Sequence, residues 1–98
     1  MEENMCPHRK RERSEAEIKS LIHRLNRIEG QIRGIRNMVE QSAYCPEILV
    51  QASAAKAAMD AFSRELLASH VRHCVAEDLQ NGKMETVDEL VSILGKMM

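Results

Sequence analysis

The sequence contains no tryptophan, and Phe, Trp and Tyr together make up 2% of its 98 residues, as Tyr44 and Phe62. Strands draw heavily on aromatic and β-branched side chains, so an all-β sandwich or barrel is excluded. Four glycines and two prolines leave little material for tight turns. No apolar run approaches the roughly 18 residues of a membrane span, and Met1–His8 lacks the apolar centre of a signal peptide. The expectation is a cytoplasmic chain with no membrane partner. Three cysteines are too few and too odd in number for a disulfide scaffold, so thiols or metal ligands are expected instead. Net charge is nearly absent, at −1.

That small net charge hides an uneven distribution. Residues 8–36 hold nine Lys and Arg against four acids, whereas residues 42–98 hold five against eight. A basic segment in an acidic chain can serve nucleic acid if assembly concentrates it. The bulk of the composition is Ala, Leu, Glu, Arg and Met, all strong helix formers. The fold class expected is all-α.

Residues 1–13 read as a flexible basic tail, ending in Arg9-Lys-Arg-Glu-Arg13, and 14–98 as one helical domain. Ser14-Glu-Ala-Glu17 fits a capping box. Ile18, Leu21, Ile22, Leu25, Ile28, Ile32, Ile35, Met38 and Val39 then follow in steps that predict one amphipathic helix, breaking near Gln41-Ser-Ala. Pro46 suits the first position of a second helix with Cys45 at its cap. That helix is predicted to run to Asn81, where Gly82 stops it, a length of ~53 Å. Its seam reads Ile48, Ala52, Ala55, Met59, Phe62, Leu66, His70 and Cys74. A third helix is expected over about Val87–Lys96, with Thr86 as its cap. A three-helix protomer with a long central helix cannot cover its own apolar surface. It predicts an antiparallel dimer, with the alanines at 52, 54, 55, 57 and 58 allowing close approach. Plain helix propensity is the other account of those alanines.

His70 and Cys74 stand four residues apart on one face of the second helix. Cys45 lies 25 residues before His70, ~37 Å along a continuous helix, so one chain does not bring all three to one ion through that helix. In an antiparallel dimer crossing near Ala58 and Met59, Cys45 of one chain meets His70 and Cys74 of the other, making two equivalent sites. Two thiolates and one imidazole form a soft site that suits Cu(I), at one ion per protomer; structural Zn(II) sites usually take four ligands. His73 points about 100° away from Cys74 and reads as solvated or outlying. Cys6 and His8 in the tail could form a further chelating arm.

The segment Arg24-Leu-Asn-Arg-Ile-Glu-Gly-Gln-Ile-Arg-Gly-Ile35, followed by Tyr44-Cys45, Ile48-Leu-Val-Gln51 and His70-x-x-x-Cys74, resembles the CsoR/RcnR family of metal-sensing bacterial repressors. The resemblance covers about residues 18–94. It implies a homotetramer, a dimer of dimers built on a four-helix bundle, that binds operator DNA without a helix-turn-helix. It also implies that Cys45, His70 and Cys74 are the Cys-His-Cys set of the copper(I) branch. Tyr44 would lie just outside them, as would Glu89 if the loop after Gly82 is one residue shorter than in relatives. Glu89 could equally close a Thr86–Glu89 capping box.

On the first helix Arg24, Arg27, Arg33 and Arg36 flank the apolar stripe and are the expected DNA contacts, with Lys56 and Arg64 as possible additions. A solvated rim is the plainer account of those charges. Gly30 and Gly34 are expected on the opposite face, open to close approach by a backbone or phosphate. Together these readings predict a copper(I)-sensing repressor, not an enzyme, released from operator DNA in front of copper-export genes when Cu(I) binds. No small-molecule substrate is expected. The competing expectations are a Cu(I) or Zn(II) buffer, a thiol-redox protein using Cys45 and Cys74, or a relative tuned to persulfide or nickel.

Overall fold

The computed structural model describes residues 13–97, and all of its regular structure there is helical. The order is α1 (Glu15–Glu40), α2 (Cys45–His70), a π-helical segment (Val71–Val75), α3 (Ala76–Gln80) and α4 (Glu85–Met97). No strand occurs among the described residues. The expectations for residues 1–12, including Cys6 and His8, lie outside them. The chain divides into two compact units, Arg13–Leu66 and Leu67 onward.

In the first unit, α1 starts as the sequence indicates. The Glu17 amide donates to the Ser14 hydroxyl at 3.1 Å, and Glu15 and Glu17 place negative charge at the positive end of the helix dipole. Arg13 adds an ion pair to Glu17 at 3.5 Å. The helix ends in a Schellman turn. The Ala43 amide donates to the Met38 carbonyl at 2.9 Å and the Ser42 amide to the Val39 carbonyl at 3.1 Å. This turn forces Ser42 to φ 58°, a left-handed conformation that glycine adopts without strain. Ser42→Gly should therefore stabilise the fold by about 0.5–1 kcal/mol, read as a higher denaturation midpoint at fixed protein concentration.

Helix α2 begins at Cys45 itself, with Pro46 in second place and the Tyr44 carbonyl accepting from the amides of Glu47 (2.9 Å) and Ile48 (3.2 Å). The predicted cap is therefore shifted by one residue, to Tyr44. Arg24 of α1 reaches Glu65 of α2 at 3.7 Å, both side chains partly exposed, so the pair contributes at most about 1 kcal/mol.

The apolar stripe of α1 is split between two faces. Ile28 is buried, and Leu21, Ile35 and Met38 are half-buried, so this side of the stripe packs. The row Ile18, Leu25, Ile32 and Val39, repeating every seven residues, stays exposed together with Ile22. The packed side lies toward Gln31 and Met38. It carries Gly30 and Gly34 into a groove of about 600 Å³ lined also by Arg27, Ile35, Met38 and Gln51. These two glycines thus flank the packed side of α1, a correction to the opposite-face placement.

In the second unit, the long helix predicted to Asn81 does not run as one α-helix. It changes bonding at Val71–Val75, where the Ala76 amide reaches back five residues to the Val71 carbonyl. After α3 a second Schellman turn follows, with the Lys83 amide on the Asp78 carbonyl (2.8 Å), the Gly82 amide on the Leu79 carbonyl (3.1 Å) and Gly82 at φ 77°. A Cβ at Gly82 would meet nothing within 4 Å. Gly82→Ala therefore strains only the backbone, at about 1–2 kcal/mol. Helix α4 starts at Glu85, one residue before the predicted cap. Thr86 lies inside its first turn, 2% exposed, with its hydroxyl buried and unbonded, so no Thr86–Glu89 capping box forms.

Candidate metal centre and nucleic-acid interface

Cys45 is an exposed, free thiol at the first position of α2. The Schellman turn at Gln41–Ala43 and the Tyr44 carbonyl hold that helix start in place. Tyr44 itself is 70% exposed. His70 closes α2, half-buried, with its Nε2 shielded from solvent. Cys74 sits in the π segment, 3% exposed. His73, beside it, is exposed. Glu89 is half-buried on α4.

Cys74 differs from expectation in being disulfide-bonded. A disulfide sulfur is neither a thiolate nor a strong ligand, so ligation through Cys74 requires reduction first. Among the described residues of one chain, no three His, Cys, Asp or Glu side chains are grouped so as to hold a metal ion. Cys45 belongs to the first compact unit, and His70 and Cys74 to the second.

The donor set itself fits a soft ion. Once Cys74 is reduced, two thiolates and one imidazole, supplied from more than one chain, would suit the preference of Cu(I) for thiolate and imidazole at low coordination number. Carboxylate-rich shells, which suit hard cations, are absent from the immediate neighbours of these three residues in sequence.

The four arginines of α1 are not equivalent. Arg24 is tied to Glu65 at 3.7 Å and Arg33 to Glu29 at 3.9 Å, so an incoming phosphate would compete with a carboxylate at both. Arg27 and Arg36 are exposed, and Arg27 lines the groove beside Gly30 and Gly34. Gln31 also lines this groove, with its side-chain oxygen buried and lacking a hydrogen-bond partner. Sequence reasoning missed Gln31 and Gln51, because nothing in the helical period marks which flank of a stripe stays open. No described helix is long and apolar enough to cross a membrane.

Comparison with known proteins adds a separate line. Residues 17–96 match the family described as metal-sensitive transcriptional repressor. The copper-sensing transcriptional repressor CsoR of Bacillus subtilis (strain 168) is 46% identical over 85 residues, 86% of this chain and 84% of that protein. The crystal structure of the copper-sensing repressor CsoR with Cu(I) from Geobacillus thermodenitrificans NG80-2 is similar at a TM-score of 0.84 and 41% identity, covering 89% of this chain and 92% of that one. The nickel-responsive transcriptional regulator InrS is similar at 0.72 and 32%, covering 91% and 98%.

Proposed function

Because the chain belongs to the family of metal-sensitive transcriptional repressors, we propose that it is a copper(I)-responsive repressor whose metal-free form binds operator DNA and whose Cu(I) form releases it. The observation that carries this reading is the donor set of Cys45, His70 and Cys74, in a chain 46% identical to a copper-sensing relative. The likeness to a nickel-responsive regulator is the weaker one, by identity and by TM-score.

Cys45 of one protomer, with His70 and Cys74 of the partner subunit, would hold one Cu(I) per protomer. When bound, the ion supplies a bridge between two chains. The protein's own residues do the rest. His70 would turn one ring nitrogen toward the site while the other engages Tyr44 or Glu89, fixing the ring. Cys45, His70 and Cys74 held together in this way would favour one arrangement of the paired helices. Since DNA favours the other, linkage requires that DNA weaken Cu(I) binding by the same factor by which Cu(I) weakens DNA binding. A dimer of dimers would repeat Arg24, Arg27, Arg33 and Arg36 across one surface, giving phosphate contacts without a recognition helix and leaving specificity to DNA shape.

The test is anaerobic binding to the DNA upstream of its own gene, with and without one equivalent of Cu(I), against Ni(II) and a persulfide donor. Release by Cu(I) alone supports the reading. Release by Ni(II) or persulfide keeps the family and overturns the metal, and no DNA binding in either state leaves a metal buffer.

Three further outcomes are expected. Without a reductant, the Cys74 disulfide should block the Cu(I) response while apo DNA binding persists, and thiol reduction should restore it. Arg27→Ala should weaken operator binding for all sequences alike and lower the slope of log K against log salt by about one. Arg24→Ala, which also releases Glu65, should change DNA affinity and thermal stability together.

A further inference from the structure

Helix α1 holds two glycines in its interior, Gly30 and Gly34, and folding gives no reason for either. Glycine in a helix interior is destabilising relative to alanine, because more backbone freedom is lost. Neither has a positive φ; among the described residues Gly82 is the glycine that does. A Cβ at Gly34 would meet nothing within 4 Å. One at Gly30 would meet the Arg33 guanidinium at 3.8 Å, an ordinary contact with a flexible side chain of the same helix. Both glycines line the groove of about 600 Å³, in which Arg27 is the one charged lining residue among the described residues.

The same flank of α1 carries cations. Lys19, His23 and Arg27 follow in steps of four, and Gly30 and Gly34 continue the row in steps of three and four. All five fall within about 80° of the helix circumference, an arc that holds no Asp or Glu of α1. Lys19, His23 and Arg27 are exposed and make no ion pair among the described residues, whereas Arg24 and Arg33 are held by Glu65 and Glu29. The exposed apolar residues Leu25 and Ile32 lie about 180° around the helix from this row.

We propose that this row receives the DNA backbone, with Lys19, His23 and Arg27 on phosphates and with Gly30 and Gly34 letting the sugar-phosphate chain approach the helix closely. The proposal rests on the DNA-binding reading and adds Lys19, His23 and the two glycines to it. The occupant fits by charge. Lysine and arginine neutralise phosphate, and the imidazole of His23 carries an N–H donor in either charge state. Lys19 and Arg27 stand ~12 Å apart along the axis, about the width of the major groove of B-DNA, so the row spans from one groove edge to the other. At residues 30 and 34 a side chain would hold the duplex off, and its absence permits approach by another backbone. The apolar surface suited to a second copy is on the other side of α1, so assembly through Leu25 and Ile32 would leave the cationic row facing outward.

The test uses the full chain, reduced and metal-free, titrated onto two duplexes over a salt series. One is the DNA upstream of its own gene and the other a random duplex of the same length. Lys19→Ala combined with His23→Ala should weaken binding to both alike, by about tenfold or more at physiological salt, and lower the slope of log K against log salt by about one. Lys96→Ala removes the same charge from α4 and should leave affinity and slope unchanged. An equal loss there would make net charge the cause and overturn the proposal. Gly30→Ala combined with Gly34→Ala should raise the thermal midpoint, because alanine is the better helix former, yet weaken DNA binding by about tenfold with sedimentation unchanged. A smaller or larger species in that variant would assign the glycines to a contact between copies and overturn their role here. Native affinity and salt slope in both double variants would overturn the proposal while the DNA-binding reading stands. A wild-type chain that binds neither duplex would refute that reading itself.

Discussion

Cys74→Ala should leave apo operator binding intact and abolish the response to Cu(I). The reason is that the two tasks are assigned to different residues. Cys74 sits in the π segment of the second compact unit, whereas the arginines proposed to meet DNA are all on α1 in the first. Couplings between ligand and DNA in such systems amount to about 1–3 kcal/mol, a 5–150-fold change in affinity. In the wild type, Cu(I) should weaken operator binding by a factor in that range. In Cys74→Ala the ratio of apo to Cu(I)-treated affinity should fall to about one.

Cys45→Ala should behave the same way although it lies at the other end of α2. That equivalence discriminates the shared inter-subunit site from a chelate made by His70 and Cys74 alone. Mixed oligomers sharpen the test. Combining Cys45→Ala chains with Cys74→Ala chains should regenerate one intact site in each mixed dimer, and with it a partial response. Loss of DNA binding in either single variant would make the cysteine structural. A response that survives Cys45→Ala would place the metal on one chain.

What was legible in the sequence follows from how local each signal is. Helix α1 was readable because Ser14, the three-and-four spacing of its apolar residues and the break at Gln41 all lie within one helix. The interruption of the second helix was not. A π turn adds one residue to a turn without a proline, a glycine or any charged marker, and Val71-Arg-His-Cys-Val75 carries none that differs from ordinary helix. Thr86 misled because a good capping residue lies next to a Schellman turn that lets α4 begin one residue sooner. Cys45, His70 and Cys74 could be named from the sequence as candidate ligands, but the described residues of one chain bring no three such side chains together.

The exposed heptad row on α1 leads to the second large effect. Replacing Leu25 and Ile32 together by Asp should dissociate the assembly and abolish operator binding, while the isolated chain keeps its helical content. Leu25 is 37% and Ile32 56% exposed in the single chain, so an aspartate at either place loses little packing there beyond the modest helix-propensity cost. The same row, with Ile18, Ile22 and Val39, is exposed apolar surface of the first unit, and covering it in an assembly would recover about 1–2 kcal/mol per side chain. Two buried, unpaired carboxylates would more than cancel that gain. Sedimentation should therefore report a smaller species at concentrations where the wild type is fully assembled. Circular dichroism of the variant should stay helical but melt at a lower, concentration-independent temperature. DNA binding should fail even though Arg24, Arg27, Arg33 and Arg36 are untouched, because one protomer presents too few phosphate contacts to hold a duplex at physiological salt. An unchanged sedimentation profile would mean that the row faces water in the assembly. The small-residue face of α2, with Ala52 and Met59 exposed, would then have to carry the contact between chains.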